Sequence, residues 1–237
     1  MSSDTPLLSV RGVHAYYGLS HVLHGVDLDV RAGQIVALLG RNGVGRSTLC
    51  KAIMAIVDRQ GSIRVRGRET IGMMPHQMAR LGLGYVPEDR AIFPGLTVEQ
   101  NLILGQHSDA GPKSWTIDQV YTHFPSLERR RATDADVLSG GEKQMLAMCR
   151  ALMSGPELIL VDEPTEGLAP LIVEQVAELL AEIARSGVSI LLIEQKLTMA
   201  MRIADHVYVM GHGQTVFSGS PDALRADTDT CKEWLEV

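Results

Sequence analysis

The chain has 237 residues and 45% hydrophobic residues, enough for one large domain with a sizeable core. Its formal net charge of −6 argues against a protein whose main partner is nucleic acid, because phosphate backbones attract a basic surface. Three cysteines lie far apart, at Cys50, Cys149 and Cys231, and predict neither a disulfide framework nor a metal-ligand cluster.

The first forty residues predict three strands. The runs "LLSVRGVHAYYG", "VLHGVDLDV" and "GQIVALLG" are β-like and broken by glycine. Alternation of apolar and polar residues in "VDLDV" is typical of a strand with one solvent-exposed face, whereas the continuous apolar run "IVALL" is typical of a central strand covered on both faces. The opening "MSSDTPLLSVRG" shows no signal peptide, and no run approaches the ~20 apolar residues that cross a bilayer.

A glycine-rich loop, "GRNGVGRST", follows the third predicted strand. The next segment, "STLCKAIMAIV", predicts a helix by its apolar repeat. The repeat positions are Leu49, Ile53, Ile56 and Val57. Strand, loop and helix form the context of the phosphate-binding pattern G-x-x-x-x-G-K-[ST], in which Arg46 here takes the lysine position. The loop amides and helix end would surround a phosphate, with Ser47 on Mg²⁺, although a plain glycine turn explains the loop alone equally well.

The middle of the chain, from about Leu96 to Leu152, is predicted to be mostly helical. It follows a short strand in "GSIRVRG" and a helical piece around "PHQMARLG". Thr97, with Gln100 three residues later, predicts a capping box that opens a helix. Breaks are predicted at Gly111–Pro112 and at Phe124–Pro125.

A second glycine pair lies in "LSGGEKQMLAMCRAL". Ser139, Gly140 and Gly141 immediately precede an apolar-periodic helix, so that a hydroxyl and exposed amides meet at its positive end. Such an arrangement can bind an anion. A helix N-cap followed by flexible glycines is the alternative interpretation of the segment by itself.

The last third again alternates strands and helices. Strands are predicted in "ELILVDEP" and "VSILLIEQ", helices in "PLIVEQVAELLAEIARSG" and "KLTMAMRIAD", and a hairpin in "HVYVMGHGQTVFSG" that turns at Gly211–Gly213. The strand in "LILVDEP" would deliver Asp162 and Glu163 at its carboxyl end, where α/β folds place ligands. The whole pattern predicts an α/β fold with a mainly parallel sheet and a helical insertion.

The three pieces, in this order, resemble the ATP-binding subunit of an ABC transporter. "GRNGVGRST" resembles the Walker A loop, "LSGGEKQ" the signature and "LILVDEP" the Walker B strand of that superfamily. The resemblance covers nearly all of residues 1–237 as a single ATP-binding domain. It implies a P-loop NTPase core with an amino-terminal antiparallel β subdomain and a helical subdomain, roughly residues 96–152, that carries the signature.

The finer resemblance is to the ATPases of branched-chain amino acid importers and their urea and amide relatives. It is carried by "YGLSHVLHGVDLDV", "GLGYVPEDRAIFPGLTVEQNL" and "DEPTEGLAPLIVEQV". In this group Glu88, Ala169 and Gln195 are usual, where other ABC proteins have glutamine, aspartate and histidine. Only Arg46, in place of lysine, is unusual there.

Roles for single residues follow from the resemblance. Tyr17 is expected to stack on adenine, although a strand-end aromatic in the core would look the same. Mg²⁺ is expected on Ser47, Glu88 and Asp162. The residues expected to wrap the phosphates are Gly40, Arg41, Asn42, Gly43, Val44, Gly45, Arg46, Ser47 and Thr48.

The same resemblance implies the catalytic and partner-facing groups. Glu163 is expected to be the general base for water, and Gln195 to contact the γ-phosphate. Ser139, Gly140 and Gly141 are expected to close over the γ-phosphate of a nucleotide that the opposite subunit holds.

The expected function is ATP hydrolysis that energises import of a small polar solute, with branched-chain amino acids as the first candidate, at the cytoplasmic face of the membrane. The expected partners are a second ATP-binding subunit, identical or paralogous, two membrane-spanning permease subunits and an extracellular or periplasmic solute-binding protein. Alternatives are a urea or amide importer and a degenerate subunit that binds nucleotide with little hydrolysis. An ABC ATPase acting on DNA or ribosomes fits less well, because such proteins usually carry tandem ATPase units or a long coiled coil.

Overall fold

The computed structural model describes residues 5–106 and 113–235, so the predicted break at Gly111–Pro112 lies outside the described residues. The strands, in chain order, are β1 (Leu8–Tyr17), β2 (Ser20–Val30), β3 (Ile35–Leu39), β4 (Asp58–Val65), β5 (Arg68–Glu69), β6 (Leu83–Val86), β7 (Leu158–Asp162), β8 (Ser189–Ile193), β9 (His206–Gly211) and β10 (Gln214–Gly219). The helices are α1 (Arg46–Ile53), α2 (Pro75–Arg80), α3 (Val98–Leu104), α4 (Ile117–His123), α5 (Pro125–Arg129), α6 (Gly140–Leu152), α7 (Pro170–Arg185), α8 (Leu197–Ile203), α9 (Pro221–Ala226) and α10 (Thr228–Trp234).

Two sheets form the frame of the molecule. A four-stranded antiparallel sheet has the order β2-β1-β4-β5, and a six-stranded sheet has the order β10-β9-β3-β8-β7-β6. Pairing in the second sheet is parallel from β9 through β3, β8 and β7 to β6, and only β10 pairs antiparallel. The predicted α/β class, with a mainly parallel sheet and an amino-terminal antiparallel sheet, is confirmed.

The central strands separate two hydrophobic cores. Along β3, Ile35, Ala37 and Leu39 face one core, while Val36 and Leu38 face the other, as the two-residue period of a strand requires. One core packs against the helices α6 and α7, and the other against α1 and the four-stranded sheet. Burial on both faces explains the continuous apolar runs of β3, β7 and β8.

Most predicted helix boundaries agree with the structure. Thr97 caps α3, where its side chain accepts from the Gln100 amide at 3.2 Å and the Gln100 side chain accepts from the Thr97 amide at 2.9 Å. Phe124 separates α4 from α5, as the following proline predicted. Within residues 5–106 and 113–235, no helix has the length and hydropathy that a membrane span needs.

The predicted extent of the first helix was wrong. The apolar repeat continued through Ile56 and Val57, but α1 ends at Ile53 and Ala55 takes a positive φ of 62°. The chain then enters β4 at Asp58, earlier than the predicted strand at "GSIRVRG". Pairing of β4 with β1 supplies backbone hydrogen bonds that a longer helix would have lost, so tertiary pairing overrode the local pattern.

Candidate functional site

The loop between β3 and α1 is shaped by two glycines. Gly40 has φ +151° and a Cβ there would lie 2.7 Å from the Met210 carbonyl oxygen. Gly45 precedes α1 in the left-handed region, at φ +104°, and a Cβ there would lie 2.7 Å from a Leu23 methyl. Side chains at either position would force the loop away from the sheet, so glycine is required for its tight curl.

A pocket of about 310 Å³ lies against this loop. The residues that line it are Val22, Asn42, Gly43, Gly45, Arg46, Ser47, Thr48, Glu88, Glu163 and Glu166. Eight of these ten were predicted as site residues, and the structure brings them together from three separate stretches of sequence. Val22 and Glu166 were not predicted. A turn in which the Glu166 amide donates to the Glu163 carbonyl oxygen at 3.2 Å brings the second of them to the pocket, and no local sequence pattern indicated it.

Arg46 begins α1 and is 4% exposed. Its Nη1 donates to the Glu194 carbonyl oxygen at 2.8 Å, beyond the end of β8. Its Nη2 donates to Asn42 Oδ1 at 2.9 Å and to Glu163 Oε1 at 2.5 Å. The guanidinium therefore joins the glycine loop, the end of β7 and the end of β8 through one planar group.

Ser47 and Asp162 face each other beside that ion pair. The Ser47 hydroxyl donates to Asp162 Oδ1 at 3.0 Å, and the Tyr85 hydroxyl donates to Oδ2 at 3.3 Å. Burial raises the pKa of Asp162, an effect that the two hydrogen bonds oppose. A second pocket, of about 330 Å³, is lined by Ser47, Glu88, Asp162 and Tyr85 among others.

Three glutamates converge on the first pocket. Carboxylate oxygens of Glu88, Glu163 and Glu166 all lie within 4.8 Å of one another. Burial, reinforced by Glu166 and Glu88, raises the pKa of Glu163 to about 7, although Arg46 opposes the shift. Burial also raises the pKa of Glu88, to which Glu166 and Asp162 contribute. A carboxyl with its pKa near neutrality, at a strand end, is suited to accept a proton.

Other predicted residues lie away from the pocket lining. Tyr17 ends β1 and is 44% exposed, and Gln195 is exposed after β8, where its amide donates to Glu194 Oε1 at 3.0 Å. Arg41 is exposed, and Val44 packs against the core below the antiparallel sheet. The contacts expected of these residues stay predictions.

The second glycine segment lines a different cleft. Ser139 caps α6, with its hydroxyl donating to Glu142 Oε2 at 2.8 Å. Ser139 and Gly141 line a cleft of about 850 Å³ between α5, α6 and α7, whereas Gly140 packs near Arg90. Among the described residues, the lining of the glycine-loop pocket includes none of Ser139, Gly140 and Gly141. Any anion bound by this helix end would therefore lie outside the pocket of its own chain's loop.

Comparison with known proteins gives consistent matches over the chain. The family described as "ABC transporter" matches residues 23–166. The high-affinity branched-chain amino acid transport ATP-binding protein BraG of Pseudomonas aeruginosa is 41% identical over 220 residues, which cover 92% of this chain and 94% of BraG. The probable branched-chain amino acid transport ATP-binding protein LivF of Archaeoglobus fulgidus is 34% identical over 215 residues, which cover 90% of this chain and 91% of LivF.

Solved structures show the same similarity. An ATP-binding subunit of an ABC transporter superposes with a TM-score of 0.80 at 29% identity, and the match covers 94% of this chain and 93% of that one. The similarity thus includes both sheets and the intervening helices rather than the glycine loop alone.

Proposed function

This chain belongs to the ABC transporter family, whose ATP-binding subunits are ATPases, and we propose that it binds and hydrolyses ATP to drive import of branched-chain amino acids. The proposal rests most directly on one observation. The glycine loop, Ser47 and Glu163 line a single pocket, with Asp162 hydrogen-bonded to Ser47 beside it, in a chain that matches BraG over more than nine-tenths of both sequences. We propose that residues 1–237 act as one ATP-binding domain, with the helical subdomain at roughly 96–152.

The hydrolytic step assigns a distinct role to Glu163. A water oxygen attacks the γ-phosphorus of ATP, the bond to the bridging oxygen breaks, and ADP and phosphate leave. Glu163 accepts the proton of that water, since its carboxyl lines the pocket next to the loop. Loop amides and Arg46 hold the phosphate oxygens, and Gln195 contacts the γ-phosphate. Tyr17, at the turn between β1 and β2, would stack on the adenine ring.

The donor set beside the loop fits Mg²⁺. Ser47, Asp162 and Glu88 supply only oxygen atoms, which this hard cation prefers, and they line one pocket. Their arrangement supports a site held by Ser47, Asp162 and Glu88. Mg²⁺ bound there would neutralise phosphate charge.

The separation of the two glycine segments supports a head-to-tail pair of ATP-binding subunits. Ser139 and Gly141 line a different cleft from the chain's own glycine loop, and Gly140 lies between them in sequence, so the natural target of this segment is a nucleotide on a second subunit. We propose that this pair, of identical or paralogous chains, docks on permease subunits at the cytoplasmic face of the membrane. A separate solute-binding protein would deliver the amino acid.

A nucleotide-binding subunit with little hydrolysis is the second candidate. One observation favours it: Arg46 replaces the expected lysine and is bonded to Glu163, the group that would activate water. In that case the partner's site would carry the turnover. Glu163 and Ser139 are both present, which favours a working site with a reduced rate.

Reconstitution tests the proposal. The complete transporter in lipid vesicles, supplied with internal ATP, is expected to accumulate labelled leucine when its solute-binding protein is present. Glu163→Gln in this chain is expected to reduce uptake strongly while ATP still binds. Uptake of urea or an amide instead of leucine would reassign the solute. Uptake of none of these solutes, by vesicles that hydrolyse ATP, would contradict the import proposal.

A further inference from the structure

We propose that Arg46 is the internal counter-ion of Glu163, and that nucleotide phosphates compete with Glu163 for the Nη2 end of its guanidinium. The inference rests on the proposed ATP site and specifies how that site is regulated from within. Arrival of the phosphates would separate Arg46 from Glu163 and release the carboxylate that accepts the proton of water.

The hydrogen-bond count at Arg46 carries the first step. A guanidinium has five N–H donors, two of them on each terminal nitrogen. Nη2 uses both of its donors, on Asn42 Oδ1 at 2.9 Å and on Glu163 Oε1 at 2.5 Å. Nη1 uses one on the Glu194 carbonyl oxygen at 2.8 Å. A phosphate oxygen can therefore bind Nη2 only if Asn42 or Glu163 gives up its bond.

Charge decides which of the two bonds is exchanged. In its ionised form Glu163 is an anion next to a cation, with side chains 10% and 3% exposed, whereas the amide oxygen of Asn42 is neutral. Buried ion pairs lose much of their stabilisation when a partner is removed, because a charge stays unpaired. Phosphates arriving at Arg46 supply a new anion for the guanidinium and repel the Glu163 carboxylate. Exchange of one anion for another leaves Arg46 paired throughout.

The geometry also explains why exchange affects catalysis. Glu163 follows β7, Arg46 follows β3 at the start of α1, and Glu194 follows β8. The hydrogen bonds of the Arg46 guanidinium therefore connect three segments at the carboxyl ends of strands in one sheet. While Oε1 accepts from Arg46, one of the two oxygens that could accept a proton from water is engaged. Arg46 is in this sense a positioning residue for Glu163.

A double-mutant cycle on nucleotide affinity tests the competition. Affinity for the non-hydrolysable analogue AMP-PNP, with Mg²⁺, is measured by calorimetry for the parent chain, E163Q, R46M and R46M/E163Q. AMP-PNP excludes hydrolysis as a cause of tighter binding. If the phosphates displace Glu163, E163Q should tighten binding more in the parent than in the R46M background, by a factor on the order of ten.

A matched control separates competition from general repulsion. Glu166 lines the same pocket, but in the described part of the chain it is not among the hydrogen-bond partners of Arg46. E166Q is therefore expected to change affinity by the same factor in both backgrounds. R46A completes the cycle if R46M does not give a native circular dichroism spectrum.

The outcomes distinguish this inference from the proposed function. If E163Q increased AMP-PNP affinity by the same factor in the parent and R46M backgrounds, the proposed competition would be overturned. Binding of AMP-PNP would still support a nucleotide site. The competition would also be overturned if E166Q, like E163Q, increased AMP-PNP affinity more in the parent than in the R46M background. Absence of AMP-PNP binding in every variant would overturn the nucleotide-binding proposal together with the inference.

Discussion

The Ser47 hydroxyl and the Asp162 carboxylate are joined by a hydrogen bond of 3.0 Å, which links the first turn of α1 to the last residue of β7. Asp162 is 1% exposed, so this contact and the one from Tyr85 are its means of stabilising a buried charge. The pair brings two oxygen atoms that could bind a metal ion to the pocket edge, from residues that are 115 positions apart in the sequence. This arrangement leads to the first prediction.

Ser47→Ala should weaken Mg²⁺-dependent nucleotide binding. The parent is expected to bind ATP more tightly with Mg²⁺ than with EDTA, and the variant should lose most of that difference, about tenfold in affinity. Ser47→Thr retains a hydroxyl and is the control. Equal Mg²⁺ dependence in the parent and in Ser47→Ala would remove Ser47 from the metal site.

ATP should dimerise the chain when hydrolysis is blocked. Glu163→Gln protein with ATP is expected to sediment as a dimer, by itself or with its paralogue, because Ser139 can then reach a nucleotide on the partner. Adding Ser139→Ala should return it to a monomer. The control is Thr116→Ala, which removes the corresponding cap from α4 and costs a similar ~1 kcal/mol of stability.

Loss of dimerisation in both cap variants would attribute the effect to helix stability rather than to the Ser139 hydroxyl. A monomer under every combination of ATP and paralogue would contradict the head-to-tail arrangement.

The sequence predicted elements best where local chemistry and tertiary packing agree. Thr97 and Gln100 mark the start of α3 in the sequence-based prediction and in the structure. The apolar run in β7 likewise agrees with its burial on both faces. The first helix was overpredicted at Ile56 and Val57, because pairing of β4 with β1 competes for that segment. The strand β6 was not predicted: its four residues are too few to show a period.

For the candidate site, the sequence predicted eight of the ten residues that line the glycine-loop pocket but not their contacts. The pattern placed Arg46 at the phosphate position, yet the structure bonds it to Glu163, which is 117 positions away. Such pairing depends on the parallel arrangement of β3, β8 and β7, which no local pattern specifies. Glu166 was overlooked for the same reason, since its role follows from three carboxylates converging in space.

Phe93 is expected to contact a membrane subunit. Its ring is 46% exposed and is covered on one face by the Arg150 guanidinium, 4.6 Å from the ring centre, while Asn101 fixes its backbone on both sides. Neighbouring Ile92 packs on the core, so a clean test changes Phe93 alone. Phe93→Ser should uncouple transport and leave ATP affinity within about twofold of the parent. Loss of ATP binding would show that this segment belongs to the nucleotide site instead.

Stability without nucleotide should depend on pH through Glu163. Its pKa is about 7 in the fold against about 4.5 in the unfolded chain. Between these values the unfolded chain releases a proton that the folded chain keeps, so rising pH favours unfolding. The melting temperature of the parent, relative to Glu163→Gln, should therefore fall from about pH 5 to about pH 7.5. Parallel melting curves across this range would contradict the raised pKa.

Phosphate release by the purified chain, with its partner subunit where one is needed, tests the central claim most directly. The parent should bind ATP and release phosphate slowly, because a planar guanidinium fits the tight loop less well than an ammonium. Arg46→Lys should raise turnover by roughly a hundredfold while ATP affinity changes far less. Glu163→Gln should retain ATP binding and abolish release. Release by Glu163→Gln at the rate of the parent would contradict the account.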